Sequence, residues 1–576
     1  MANRTVEILE PSPTPTLDTK SLSNEGLDVA APTLPANGAD GSDGRSSLAA
    51  SDEAILARLG YKQEFVREFT NLSTISFAFS IMGVASSVVT TFNTPFSLGG
   101  PAAVVWCWFI GTVMCFCLGT AIAELVSAFP TNGGLYSASV FVVPKRYRAF
   151  TGWSIGWLNL LGQVAGVAST EFGLAQMIFA AVSLSTDGTF VANKWQTYLL
   201  FLALLAIHGT INSFGTAILS KMTRTFVFFN LGTVLAVVIS LLVCTDTKNS
   251  ASYVFTHTIN GSGWNSEGLT FLLGLLSVQW TMTDYDATAH ISEEVKRAQV
   301  AAPAAIWIAV LGTGGAGLIY NIVFVLCSGN MADTADLGVS GYAPAQIMWM
   351  NLPKPLFYVL WSFICVVAFQ VVATATHANA RSFHAFSRDR GMPDRGFFTR
   401  LSKNKIPVNA VWLVLAIAAL MGLLVFASYV AVNAIFALAA MAMDASYVIP
   451  IACSVYFADH PEVRFTPGPF YLGRTWYGYL VRFIAVFWTS FVVILLALPT
   501  DMPVNQSTMN YASVVTGGVL LLSWFWFFAG GRKLYRGPRN VLAEEKQVHG
   551  PEKGDDSIEG KQDKDEKEDG DILAPQ

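Results

Sequence analysis

Charge is scarce in this chain. Only 13% of its 576 residues are Asp, Glu, Lys or Arg, about half the share of a soluble globular protein. So few charges cannot cover a surface of that size in water, so lipid must be the main solvent. The net charge is only −5 and the acids crowd into the two ends, which argues against nucleic acid as a partner. There is no P-loop, no H-E-x-x-H and no Ser/His/Asp set. Their absence argues against an ATP-driven pump and against an enzyme. The seven cysteines form no C-x-x-C pair. They read as small apolar residues, with no metal site and no cofactor implied. No apolar h-region stands near the start, so no cleavable signal peptide is expected.

Apolar sequence is abundant instead. Hydrophobic residues make up 53% of the chain and mean hydropathy is +0.47. About twelve runs have the ~20 apolar residues that a bilayer crossing takes. They fall near 72–94, 101–129, 149–182, 195–214, 225–244, 269–290, 303–327, 356–379, 409–427, 429–456, 477–498 and 510–530. The expected fold is an all-α membrane protein. Residues 1–60 and 536–576 are polar and low in complexity, and read as disordered tails around a membrane domain at 61–535,.

Lys and Arg concentrate in alternate loops, at 130–148, 215–224, 291–302, 380–408 and 457–476, and again after the last span. By the positive-inside rule these loops and both termini face the cytoplasm. The sequons at Asn260 and Asn505 then fall outside, where glycosylation is possible in principle,. Asn3 and Asn71 also head sequons but lie on the inner side.

Charges within membrane spans are expensive, so the few present point to function. The deep ones are Glu171 in span 3 and Asp284 and Asp286 in span 6; Glu124, His377 and Asp444 sit closer to span ends or within the bundle. No Lys or Arg stands at a span centre. An anionic pocket without fixed cations suits a cationic or zwitterionic ligand. Span 6 turns abruptly polar through Trp280, Thr281, Thr283 and Asp284. Irregular backbone is tolerated at that depth where it lines a cavity, so a broken helix is expected. Span 1 offers a matching interruption around Met82, Gly83, Ala85, Ser86 and Ser87, with Gly83 relaxing the backbone,. Paired interruptions in the first and sixth spans mark the binding site of inverted-repeat transporters.

Several motifs carry a resemblance. They are Phe79-Ser-Ile-Met-Gly83, Gly99-Gly-Pro-Ala, Ala123-Glu-Leu-Val-Ser-Ala-Phe-Pro-Thr-Asn-Gly-Gly-Leu-Tyr136 and Tyr285-Asp-Ala-Thr-Ala-His-Ile-Ser-Glu-Glu-Val-Lys296. With them stand Ala380-Arg-Ser-Phe-His-Ala-Phe-Ser-Arg-Asp-Arg-Gly-Met-Pro393 and Ile406-Pro-Val-Asn409. Over roughly 60–535 the chain resembles the fungal amino acid/choline transporter family of the amino acid–polyamine–organocation superfamily. The resemblance implies a leucine-transporter-like fold of two inverted five-helix repeats plus two helices. It implies a permease, coupled to protons, at the plasma membrane or at an organelle such as the vacuole. The helix-1 signature falls near Ala85-Ser86-Ser87, without the usual glycines; the aromatic gate falls on Trp280 and the acidic position on Asp286. Asp284 stands where a small residue is expected.

These features together suggest alternating access by a secondary transporter. Carbonyls of the span 1 break and Asp284 hold the substrate ammonium, and Trp280 caps it by cation–π contact. Asp286 or Glu171 takes the coupled proton, because burial favours a neutral carboxyl. γ-Aminobutyrate leads among the substrates, since Phe79 to Gly83 looks like the γ-aminobutyrate branch; choline and polyamines are the alternatives. A membrane nutrient sensor or receptor is the alternative of another class. The run Glu293-Glu294-x-Lys296-Arg297 reads as a solvated cytoplasmic turn, and Arg381 to Arg395 as an orientation signal,. As a gate, the first would pair with Arg388 or Arg390.

Overall fold

The computed structural model describes residues 43–535, apart from 215, 335–336, 428, 464 and 506–507, together with 537. The chain divides into Met1–Ser47 and Leu48–Gln576. Of the first unit only the start of a helix is described; the second holds the membrane helices. The expected tails at 1–42 and 538–576 lie outside the described residues.

Every described regular element is helical, and an isolated parallel bridge joins Phe69 to Val295. In lipid each backbone N–H and C=O must be satisfied within its own segment, and a helix does that. The elements that place the site are α1 (Asp43–Arg58), α2 (Asn71–Met82), α3 (Val84–Thr91), α4 (Gly100–Ala128), α5 (Lys145–Ser185), α6 (Lys194–Phe214) and α7 (Thr216–Cys244). The sixth span supplies α8 (Leu275–Met282) and the single turn α9 (Ala287–His290). Then come α10 (Ala298–Leu326), α11 (Lys354–Arg388), α12 (Val408–Gly422), α13 (Tyr429–Tyr456), α14 (Trp476–Leu496) and α15 (Ala512–Trp526).

Among the described residues, eleven helices are long and apolar enough to cross a membrane. They match eleven of the twelve expected spans. The twelfth, 269–290, is cut into pieces too short to count alone. Large apolar side chains point outward from the bundle: Phe228 is 66% exposed, Val243 77% and Phe525 73%. Such a surface needs a lipid partner. The first span is almost wholly buried: α2 packs on α7, α10 and α11, and α8 packs on α3, α4 and α13.

The loops gather on two faces. On one, which carries the segment leading into α2, Gln63 Nε2 donates to the Glu293 carbonyl (2.7 Å) and Lys145 N to Glu462 (3.0 Å). This is the N-terminal face. On the other, Asn93 Nδ2 donates to the Gly341 carbonyl (2.8 Å) and Met502 N to the Ser262 carbonyl (2.8 Å). The sequon residues Asn260 and Asn505 are exposed on that opposite face.

One expectation needs correction. Residues 43–58 are helical, where a disordered tail was expected as far as residue 60. Leu56, Leu59 and Tyr61 are 1–5% exposed, and burying such groups stabilises a segment that composition alone reads as loose.

Candidate functional site

The two central interruptions differ in kind. Span 1 breaks at a single residue. Gly83 is left-handed (φ 47°, ψ 53°), closing α2 and opening α3. A β-carbon there would stand 2.0 Å from Val371 Cγ2, so only glycine fits both the backbone and the space. Ser86 N and Ser87 N both donate to the Gly83 carbonyl at 2.9 Å, and Ala85 N donates to Asn230 Oδ1 (3.1 Å). The N–H groups of Ala85, Ser86 and Ser87 are therefore already taken.

Span 6 is open over four residues. α8 stops at Met282, and α9 begins at Ala287 after Asp284 at φ 65°. Asp tolerates this region better than most side chains. The unwound stretch lies near the span 1 break: Ile81 and Ser87 share one small cavity with Thr283 and Asp284.

A small cavity sits between them, lined by Ile81, Ser87, Gly166, Thr170, Trp280, Thr281, Thr283, Asp284, Val371 and Ala375. At about 20 Å³ it holds roughly one water,. Trp280 roofs it, with its ring 5.0 Å from that of Phe436 and its Nε1 donating to Ser169 Oγ (3.1 Å). Beyond Phe436 a vestibule of about 450 Å³ is lined by Thr90, Asn93, Gln176 and Val339–Tyr342.

Five residues named from sequence line the cavity: Ser87, Trp280, Thr281, Thr283 and Asp284. Met82, Gly83, Ala85 and Ser86 shape the break without lining it. The Thr281 hydroxyl has no hydrogen-bond partner, and among the described residues the Asp284 carboxylate accepts no hydrogen bond. Asp286 is the reverse. It accepts from Asn159 Nδ2 (3.0 Å) and the Tyr447 hydroxyl (2.7 Å), and pairs with His290 Nε2 (3.0 Å). Glu171 stands apart from the cavity, buried against His208 Nδ1 (3.2 Å), whose other nitrogen meets the Phe369 carbonyl (3.0 Å).

The N-terminal face is sealed. Arg388 binds Glu293 (3.0 and 3.1 Å), Arg381 and His377 bind Glu294 (2.8 and 3.2 Å), and all five side chains are buried. The expected solvated turn at Glu293-Glu294 is thus overturned. Arg381 and Arg388 point inward because each has a carboxylate waiting, which a surface signal would not need. The segment before α2 covers the pairs. Phe69 N donates to the Glu294 carbonyl and Lys296 N to the Phe69 carbonyl, both at 3.0 Å. Tyr61 donates to Asp389 (2.9 Å) under the Arg388 guanidinium, 4.2 Å from the ring.

Sequence reasoning singled out acids and, apart from Arg388 and His377, missed their partners. Asn159 and Gln163, four apart on α5, were a readable signal, since two amides on one face of an apolar span imply a polar neighbour. His208, Tyr447 and Asn230 carried no such signal.

Two interrupted central helices, a polar cavity between them and a lipid-facing exterior define a multi-pass membrane transporter. The chain belongs to the amino acid permease family, whose sequence profile matches residues 69–520. It is 42% identical to an uncharacterized amino-acid permease of Schizosaccharomyces pombe, over 84% of this chain and 89% of that one. It is 35% identical to amino-acid permease 2 of Neurospora crassa, over 86% and 90%. It is 30% identical to the GABA-specific permease of Saccharomyces cerevisiae, over 86% and 87%.

Proposed function

We propose that the chain is a secondary active transporter that imports an amino acid or related amine, γ-aminobutyrate foremost, by proton-coupled alternating access. The observation that carries this is the pairing of a free Asp284 carboxylate in the cavity with a sealed N-terminal face. In this conformation the vestibule admits solute from the opposite face as far as Trp280 and Phe436. Substrate entry requires the cavity to expand, because a water-sized space holds no amino acid. The ammonium meets Asp284 and the carbonyl end of α2, and Trp280 closes over it. A carboxylate with no Lys or Arg beside it among the described residues selects amines, and a relative named as γ-aminobutyrate-specific favours that substrate. Choline and polyamines would use the same carboxylate.

For the proton, the acids of spans 6 and 3 each belong to a buried acid–imidazole pair, Asp286–His290 and Glu171–His208. Asp286 adjoins the unwound stretch, so its charge is tied directly to the pocket. With the basic loops inside, the N-terminal face is cytoplasmic, Asn260 and Asn505 are extracellular glycosylation candidates, and the plasma membrane is the expected location, ahead of the vacuole.

Purified protein in proteoliposomes, given radiolabelled γ-aminobutyrate against choline and arginine as competitors, tests the reading. Uptake should follow an imposed proton gradient and collapse with a protonophore. Saturable binding without flux would instead favour a nutrient sensor.

A further inference from the structure

Asp444 lies within α13 at 0% exposure, and neither carboxylate oxygen has a hydrogen-bond partner. Nothing in the substrate pocket uses it. An ionised carboxylate in a dry, apolar site is strongly unfavourable unless a counter-charge or several donors meet it.

No counter-charge is there among the described residues. From α4 comes the Cys115 thiol, from the sixth span the Gln279 amide and Tyr285 phenol, and from α13 itself the Tyr447 phenol. Tyr447 is committed to Asp286 at 2.7 Å. On α5, Asn159 turns to Asp286 (3.0 Å) and Ser446 (3.3 Å). On α14, Arg482 is held by Glu124 (2.6 and 2.9 Å). α15 has no titratable side chain, and Tyr136, from the short helix before α5, binds Asp389 (2.9 Å).

The atoms around the carboxylate are mostly donors. Gln279 Oε1 accepts from Trp488 Nε1 (3.3 Å) and Cys115 Sγ (3.5 Å), which leaves the Gln279 Nε2 donor without an acceptor. The Tyr285 hydroxyl is also unpartnered. A metal cation wants a cage of oxygens, and no such cage is present among the described residues.

We infer that Asp444 is a proton-binding site: its carboxyl is protonated in this conformation and becomes an anion when the sixth span moves. The proton comes from water and returns to it. The anion would draw in both idle donors, Gln279 Nε2 and the Tyr285 hydroxyl. Gln279 sits on α8, just before Trp280, and Tyr285 lies within the unwound stretch, just after Asp284. The charge on Asp444 therefore sets how that stretch sits. Its consequence for transport rests on the proposed proton-coupled uptake; the proton site itself does not.

Infrared spectra of the full-length protein in lipid bilayers near neutral pH test it. Wild type should show the carbonyl stretch of a protonated carboxylic acid, and Asp444→Asn should remove one such band. Tyr285→Phe keeps the carboxyl and should shift the band; it carries the test if Asp444→Asn does not fold. Spectra unchanged in the variants that fold would overturn the inference. So would a band that sodium chloride removes from wild type, which would make the ligand a metal cation. In proteoliposomes, Asp444→Asn should lower the ratio of gradient-driven γ-aminobutyrate uptake to γ-aminobutyrate exchange about tenfold. An unchanged ratio would remove the link to transport. If wild type moves no γ-aminobutyrate, the proposed substrate is wrong, while the infrared result still decides the proton site.

Discussion

Arg388 grips Glu293 through both terminal nitrogens, at 3.1 and 3.0 Å, and Glu293 is fully buried. Removing one member of a buried pair strands the other, at about 3–5 kcal/mol. Arg388 has a second carboxylate, Glu64 at 3.6 Å, and the Tyr61 ring at 4.2 Å. Glu293→Gln should therefore cost the lower end of that range. Glu293→Gln with Arg388→Met should recover part of it, since neither member of the pair is then left charged, while buried Asp389 loses the Arg388 charge. Thermal unfolding of the two singles and the double completes the cycle. Strictly additive losses would show that the pair is not coupled.

The same pair sets a pH expectation. Burial pushes the Glu293 carboxyl up, but the Arg388 charge, its hydrogen bonds and the Asn132 N–H outweigh that and hold it below its ordinary range. Glu294 is likewise held low, against burial, by Arg381 and then His377. A depressed folded value stabilises the fold above the unfolded value, about 4.3 for Glu. That contribution is lost only as pH falls through the folded value. The stability gap between wild type and Glu293→Gln should thus be the same at pH 7 and pH 5, and should shrink in stronger acid. A gap that closes by pH 5 would contradict the assignment.

Much of this was legible in the sequence. Apolar run length gave eleven crossings, because in lipid length and hydropathy alone decide a helix. The two interruptions were readable because polar groups at that depth need a cavity. The Glu293–Arg388 closure was read first as solvated surface, with pairing to Arg388 or Arg390 as the alternative: charge runs usually are solvated, and the partners are 95 residues apart. The α1 helix was misread because among its described side chains only Asp52 and Leu56 are buried, too short a pattern to stand out from a polar tail. The extent of each break was not readable either. One left-handed glycine sufficed in span 1, whereas span 6 opened over four residues.

Gly83→Ala tests the narrower break. The left-handed backbone costs a non-glycine residue about 1–2 kcal/mol. The added carbon would also meet Val371 Cγ2 at 2.0 Å. Val371→Ala should relieve the contact but not the backbone cost. The double variant is therefore expected between Gly83→Ala and wild type in thermal stability and in uptake. Full recovery by Val371→Ala would mean that the left-handed conformation carries no cost.

Asp284 admits the sharpest substitution. Its φ of 65° tolerates asparagine,, so Asp284→Asn removes charge while keeping shape and backbone. Its carboxylate bonds no described group, so folding should change by less than about 0.5 kcal/mol. Asp284→Ala adds the left-handed cost and should be less stable than Asp284→Asn by roughly 1 kcal/mol. A charge-assisted bond to a substrate ammonium is worth about 1.5–3 kcal/mol. KM for an amine substrate should therefore rise by about 10- to 100-fold in Asp284→Asn. Uptake kinetics at several substrate concentrations read this directly. An unchanged KM in a stable Asp284→Asn protein would take the carboxylate out of the pocket and leave its strained backbone unexplained.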